Sequence, residues 1–265
     1  NNYDKDNLNN NQVAILLGTS NFDCDDVSFL NEENVNNLYG VEFVSGEAST
    51  IEFKNIISQF AAIVYVPPRE SEQNILTDLT FTNCDCREFM IDVHAKQATF
   101  KGISVKPSAQ SHAGNKIGGV LKANKVCNLE IDDMEVSNIK IEQGIILYQP
   151  SDISKDDTND VSITNLNFEK IEGLSIILEP KNQSREYFYI FSSTFKECGG
   201  INTIKGTVIE AKGEFSDINF EVDDCKFLNC YCNEDRTGSI IFFNSTNYAN
   251  PLNGKLFQIT NSEFS

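Results

Sequence analysis

Only two histidines occur in the 265 residues, and one stands in an acid–base run, Asp92-Val-His94-Ala-Lys96. Residues two apart on a strand share a face. The spacing therefore predicts a carboxylate, an imidazole and an ammonium group side by side, with Lys106 or Arg87 in neighbouring segments. A base beside cations can draw the α-proton from a uronic sugar and stabilise the carbanion that results. Asp92, His94 and Lys96 are thus the catalytic candidates, although the solvent face of an ordinary strand shows the same alternation. The other histidine, in Ser111-His112-Ala-Gly114, has no carboxylate near it in sequence. The remaining acid clusters are four Asp-Asp pairs, at 25–26, 132–133, 156–157 and 223–224.

Eight cysteines and two Asn-x-Ser/Thr triplets offer a second kind of chemistry. Two Asn-Cys-x-Cys clusters, Cys84/Cys86 and Cys230/Cys232, each resemble half of a zinc site, but no CxxC pair is suitably spaced to complete one. Asn182-Gln-Ser184 and Asn244-Ser-Thr246 are N-glycosylation acceptors expected on loops. Together with the cysteines they favour the secretory route. No twelve-residue calcium loop or Gly-Gly-Asp repeat is present, so no cofactor is expected beyond weak Ca2+ binding by the acidic surface.

What positions these residues is an internal repeat. Its clearest copies are Leu129-Glu-Ile131-Asp-Asp133-Met-Glu-Val136, Val161-Ser-Ile163-Thr-Asn165-Leu-Asn-Phe168, Phe188-Tyr-Ile190-Phe-Ser192-Ser-Thr-Phe195, Phe220-Glu-Val222-Asp-Asp224-Cys-Lys-Phe227 and Phe257-Gln-Ile259-Thr-Asn261-Ser-Glu-Phe264. Looser copies end at Phe29, Phe53, Phe81 and Phe100. The anchors follow one another at 24, 28, 19, 36, 32, 27, 32 and 37 residues. Each unit alternates apolar and polar residues with period two, the sign of a half-buried strand. It then reaches a polar residue that tolerates left-handed backbone angles, and a second short strand carries the anchor. An apolar run follows, such as Gly119-Val-Leu121, Gly144-Ile-Ile-Leu-Tyr148 or Gly238-Ser-Ile-Ile-Phe242.

Three strands per unit, with no segment periodic enough for a crossover helix, describe one coil of an all-β, single-stranded right-handed parallel β-helix. The chain is expected to hold about eight to nine such coils. One coil cannot satisfy its own strand edges, so coils must stack, and equivalent residues must fall in columns. Strands about 4.8 Å apart would give a rod of about 43 Å. The anchors predict an inner Phe stack, in keeping with 19 Phe and no Trp. The corner column is read as Asp26, Thr50, Asp78, Gln97, Asp133, Asn165, Ser192, Asp224 and Asn261, a ladder of side-chain hydrogen bonds along the axis.

The same alignment places Cys84, Cys198 and Cys230 three residues after an anchor, where other coils carry Ile56, Ile103, Ile139 and Ile171. Cys198 and Cys230 fall on adjacent coils, close enough for a disulfide or for a buried pair of free thiols. Cys84/Cys86 and Cys230/Cys232 fall about 24 Å apart and cannot share a metal.

The chain is expected to be one β-helix domain over 1–265, with a polar lead-in at 1–12 and both ends inside a coil, as in an internal fragment of a longer polypeptide. No stretch nears the roughly 18 apolar residues that span a bilayer. A net charge of −18 and a pI near 4.4 make nucleic acid an unsuitable partner, and would repel uronic-acid polymers unless a cation bridged.

In its coil pattern the chain resembles the pectin-lyase-like superfamily. Galacturonan hydrolases of that fold carry Asn-Thr-Asp, Asp-Asp, Gly-His-Gly and Arg-Ile-Lys motifs, and only Asp-Asp occurs here. Phe81-Thr-Asn-Cys84, Phe227-Leu-Asn-Cys230, Thr237-Gly-Ser-Ile-Ile241 and Gly118-Gly-Val-Leu121 resemble the Phe-x-x-Asn and Gly-Gly-Ala-Ile repeats of polymorphic outer-membrane-protein-type β-helices, though Gly-Gly is intact once. That resemblance implies a secreted or surface structural protein. The expected function is a non-catalytic extracellular or cell-surface module. It would be a rod that presents loops 104–118, 149–160, 179–186 and 244–254 to other protein subunits or surface glycans, or packs into a coat or filament. The alternative is a carbohydrate-binding or polysaccharide-cleaving β-helix.

Overall fold

The computed structural model describes residues 12–17, 22–24, 27–30, 38–43, 46–54, 56–58, 62–66, 73–106, 117–150, 158–179, 185–200, 206–213, 217–232, 239–245 and 256–265. Among these, every regular element is a strand and every strand pairing is parallel. The described chain is a parallel β-solenoid. Among the described residues no helix is long and apolar enough to cross a membrane.

Two faces carry the pairing. On the anchor face, Phe29, Phe53, Phe81, Val105, Val136, Phe168, Phe195, Phe227 and Phe264 follow one another in register. On the face built from the apolar runs, the column is Ile15, Val41, Val64, Ile91, Leu121, Ile146, Ile176, Ile209 and Ile241. The described residues thus fill nine stacked levels on each face. The chain passes from one face to the other through a short third piece, seen as Ile57–Ser58, Asp85–Cys86, Gly199–Gly200 and Tyr231–Cys232.

The register corrects one unit of the sequence alignment. Phe100 pairs with Leu76 and Ile131, so it lies before the corner; the anchor of that level is Val105. Ile103 lies opposite Met134 and is not in the cysteine column. Gln97 is correspondingly not a corner residue. That place belongs to Gly102, at φ +64. The error came from hydrophobicity, since Phe100, two residues before the corner where most other units carry Ile, Leu or Val, is larger than Val105 in the anchor place. The Phe stack is therefore interrupted by two valines. Where it runs, the rings are close: Phe53 to Phe81 at 5.0 Å, Phe195 to Phe227 at 5.1 Å and Phe227 to Phe264 at 4.7 Å, all nearly parallel.

Corners have a stereochemical cause. Thr50, Asp78, Asp133, Asn165, Ser192, Asp224 and Asn261 all have φ between 48 and 58°, a conformation that costs most residues but is eased for Asp and Asn. Asp26 lies outside the described residues. A second set of left-handed corners sits two residues after the anchor, at Asn83, Asn138, Lys170, Glu197 and Asn229. This gives Phe-x-Asn-(Cys/Ile) its meaning: Asn turns the chain and the next residue points into the core. Gly118 and Gly119 answer a different need. A Cβ on Gly118 would lie 2.0 Å from the Glu88 carbonyl oxygen, and one on Gly119 2.2 Å from the Phe89 ring.

The corrected register is testable at Gly102. Gly102→Asn is expected to fold with a smaller loss, limited to the Asp78 carboxylate swinging aside, since a Cβ at Gly102 would lie 2.4 Å from Asp78 Oδ1. Gly102→Val, forced into the same left-handed geometry, is expected to lose about 1–2 kcal/mol in urea unfolding.

Candidate functional site

Asp92 and His94 lie on the strand Phe89–His94 and share its outer face, with Asp92 Oδ1 3.4 Å from His94 Nε2. Both side chains are mostly covered, at 16% and 13% exposure. Asn124, on the next level, lies 3.5 Å from His94 Nε2, and Tyr65, on the level before, meets the imidazole edge-on at 6.2 Å. Lys96 does not join them. The strand ends at His94, so Lys96 stands exposed at the bend before Gln97–Lys106. Lys122, opposite Asp92, occupies the flanking position. Arg87 and Lys106 lie on a bend and at the far end of another strand. The acid–base run thus reduces to a carboxylate–imidazole pair set against Asn124 and Tyr65. His112 lies outside the described residues.

His94 and Asn124 begin a column that sequence reasoning missed. The next outward positions are Gln149, Glu179 and Lys212. Gln149 Nε2 donates to Glu179 Oε2 at 2.6 Å, and Lys212 Nζ reaches Glu179 Oε1 at 2.9 Å. The signal was present, since Gln149 and Glu179 are each the first polar residue after an apolar run, and His94, Asn124 and Lys212 the second. It becomes a column only once the runs are aligned.

The corner residues form a comparable ladder on the anchor face, offset by one. Asp132 Oδ1, one residue before the corner, accepts from Thr164 Oγ1 at 2.7 Å and Asn165 Nδ2 at 2.7 Å. Asp223 Oδ1 accepts from Thr260 Oγ1 at 2.7 Å and Asn261 Nδ2 at 2.9 Å. Ser192 Oγ donates to Asp224 Oδ2 at 3.2 Å. The pairs 132–133 and 223–224 are thus structural, one Asp accepting across levels while the other turns the chain. Pairs 25–26 and 156–157 lie outside the described residues. Among the described residues, no three His, Cys, Asp or Glu side chains converge as metal ligands would.

Cys198 and Cys230 are free thiols on adjacent levels, not a disulfide. The Tyr231 amide donates to the Cys198 carbonyl at 3.0 Å, and each thiol donates to an anchor carbonyl, Cys198 Sγ to Phe168 at 3.4 Å and Cys230 Sγ to Phe195 at 3.3 Å. The neighbouring Cys230 thiol, then burial, holds the Cys198 thiol up, whereas the neighbouring Cys198 holds Cys230 down. Burial pushes Cys84 and Cys86 up to about 12 and Cys225 to about 11. Cys225, unnoticed in the sequence alignment, occupies the position just after the corner, where Ser193 and Ser262 stand on the adjoining levels. There Ser193 Oγ accepts from the Leu166 amide at 3.1 Å and Ser262 Oγ from the Cys225 amide at 3.2 Å.

Of the glycosylation acceptors, Asn182 lies outside the described residues. Asn244 lies on the strand Ser239–Ser245 opposite Lys212, not in a loop, because the run continues to Ser245. Most of the expected loops (107–116, 151–157, 180–184 and 246–255) lie outside the described residues.

The fold and these ladders define a class: a parallel β-solenoid whose outer faces carry axial columns of polar side chains. Beyond that class, comparison with known proteins gives no further identity, since the chain matches no family model, no curated protein and no solved structure.

Two outcomes are expected. Asp132 and Asp223 are held below the ordinary carboxylate range chiefly by the Thr164 and Thr260 hydrogen bonds. A group whose pKa falls on folding contributes its stability above the unfolded value, about pH 4, and loses it as pH drops through the lowered folded value. The Asp132→Asn/Asp223→Asn variant should therefore show a smaller fall in melting temperature between pH 7 and pH 3 than the parent. Separately, iodoacetamide should alkylate Cys230 before Cys84, Cys86, Cys198 or Cys225, read by peptide mass mapping, because thiolate fraction and access set the rate.

Proposed function

We propose that the chain is a non-catalytic extracellular or cell-surface structural module, a rigid rod that carries connecting segments for recognition or packs beside other subunits in a coat or filament. The observation that carries this reading is how the outward polar groups are used. Asp132, Thr164 and Asn165 bond one another along the axis, as do Asp223, Thr260 and Asn261, and as do Gln149, Glu179 and Lys212. The pair that most resembles catalytic chemistry, Asp92 and His94, is packed against Asn124 and Tyr65 of the neighbouring levels, and the Lys96 of the same run stands apart from it. Salt bridges between levels, Lys101 with Glu130 and Lys196 with Glu169, add to the same axial stitching.

The resemblance to polymorphic outer-membrane-protein-type repeats, and the broader one to pectin-lyase-like coils, belongs to this reading. Its motif residues now have structural reasons, Asn83 and Asn229 at left-handed corners and Gly118 and Gly119 where coils approach closely. Loop variation on a constant scaffold suits recognition.

Incubation with polygalacturonate, with and without Ca2+, should yield neither unsaturated product at 235 nm nor new reducing ends. Product that disappears in His94→Ala would overturn the reading. An antibody to the rod should stain intact source cells; staining only after permeabilisation would remove the surface assignment.

A further inference from the structure

One strand of the anchor face departs from the rest. On Arg185–Phe191 the inward residues are Glu186, Phe188 and Ile190, the last two apolar as the repeat requires, but the alternate positions after Arg185 carry Tyr187, Tyr189 and Phe191. The three rings are nearly parallel: Tyr187 to Tyr189 at 6.3 Å and 9°, Tyr189 to Phe191 at 5.8 Å and 12°. All three are half-buried. The fold does not ask for them. In the Tyr189 column the other levels from Glu47 onward hold Glu47, Ile75, Thr99, Glu130, Ser162, Glu221 and Gln258, none of them aromatic, and in the Phe191 column Ser49, Thr77, Lys101, Asp132, Thr164, Asp223 and Thr260.

The charged residues opposite the three rings on the adjoining levels have one sign, although the row itself starts at Arg185. Opposite it on the preceding level stand Asp160, Ser162 and Thr164, and on the following level Asn219, Glu221 and Asp223. That is three carboxylates and no cation. The Tyr189 hydroxyl is held above its ordinary value by burial, then by the Glu221 and Asp160 charges, which places both carboxylates within electrostatic reach of it.

Aromatic faces and carboxylates together recognise planar cations. A guanidinium stacks on a ring within about 6 Å of its centre and bonds a carboxylate with its fork of N–H groups. The ring spacing adds a geometric term. Steps of 6.3 and 5.8 Å are close to the two-residue repeat of an extended chain, about 6.6 Å, so alternate residues of a bound strand-like segment would meet successive rings. We propose that Tyr187, Tyr189 and Phe191, flanked by Asp160, Glu221 and Asp223, form a docking surface for an extended basic polypeptide segment with arginine at alternate positions. Asp160 and Glu221 flank the row as ion partners. Asp223, whose Oδ1 is bonded by Thr260 and Asn261, contributes charge. The partner is identified by this chemistry and not by the compartment, so the inference stands apart from the surface assignment above.

The test is fluorescence polarisation of the full chain with a labelled (Arg-Ser)4 peptide at physiological salt, beside (Lys-Ser)4 and a panel of neutral oligosaccharides. The peptide should bind saturably, with the lysine version several-fold weaker. Tyr187→Asn/Tyr189→Ser/Phe191→Thr, which installs residue types found in the same columns on adjoining levels, should weaken binding at least tenfold with an unchanged melting curve. Asp160→Asn/Glu221→Gln should weaken it several-fold and flatten its salt dependence. Should the triple variant not fold, Tyr189→Ser alone serves, with a several-fold loss expected. Equal binding by the aromatic variant would mean diffuse attraction to an acidic rod and would overturn the proposal. So would an absence of peptide binding, or capture of a neutral oligosaccharide in its place.

Discussion

Everything in this molecule depends on the need of a short strand for a partner on both edges. A coil of the repeat cannot pair with itself, so each level must be placed over the previous one in register. The effect is visible in a single column. Phe227 is fully buried under Phe264, whereas Phe264, on the last described level, remains 47% exposed. Phe257 and Ile259 on that level are 44% and 50% exposed, while Phe220 and Val222 one level earlier are buried. Covering one such side chain is worth about 1.5–3 kcal/mol. Stacking therefore supplies the core, and a residue's neighbours are set by its position in the coil rather than by its distance along the chain.

Register also dictates the corners. Strands of fixed length on successive levels overlay only if the chain turns at the same place each time. The turn adopted requires positive φ, which explains why Asp, Asn and Gly dominate the first set. The second set includes Lys170 and Glu197, residues poorly suited to that geometry. Their backbone is fixed by pairing across levels, as in the bond from the Glu197 amide to the Leu228 carbonyl at 2.8 Å. Local preference helps to place a corner, and the ladder holds it where preference is weak.

The same logic accounts for what could be read from the sequence and what could not. Periodicity exposed the strands, the anchors and the first corner, because burial on one face leaves a period-two trace in any sequence. It failed at Phe100, where hydrophobic size ran against position. Only the pairing of Phe100 with Ile131 places Val105 in the anchor column. The pairing of Asp92 and His94 was legible for the same reason as the strands, as two residues on one face. Lys96 was not, because nothing in the residue types says that the strand ends at His94. Contacts between levels were the hardest to foresee. Gln149 and Glu179, or Thr164 and Asp132, are 30 and 32 residues apart, and the intervening segments vary in length.

A solenoid separates two kinds of constraint on alternate residues of one strand. Inward positions must match the levels above and below, so they are mostly apolar, as at Phe188 and Ile190, or polar with a buried partner on the next level, as where Asn159 Nδ2 donates to Glu186 Oε1. Outward positions are free to vary unless something specific is asked of them. Most meet a modest demand, axial pairing of polar groups, each exposed pair contributing little alone. Tyr187, Tyr189 and Phe191 do not fit that pattern, because three half-exposed rings between carboxylates give the rod no pairing that Ser or Thr would not supply more cheaply. On a scaffold whose interior is fixed by stacking, such a departure on the outer face is where a partner's chemistry leaves its mark.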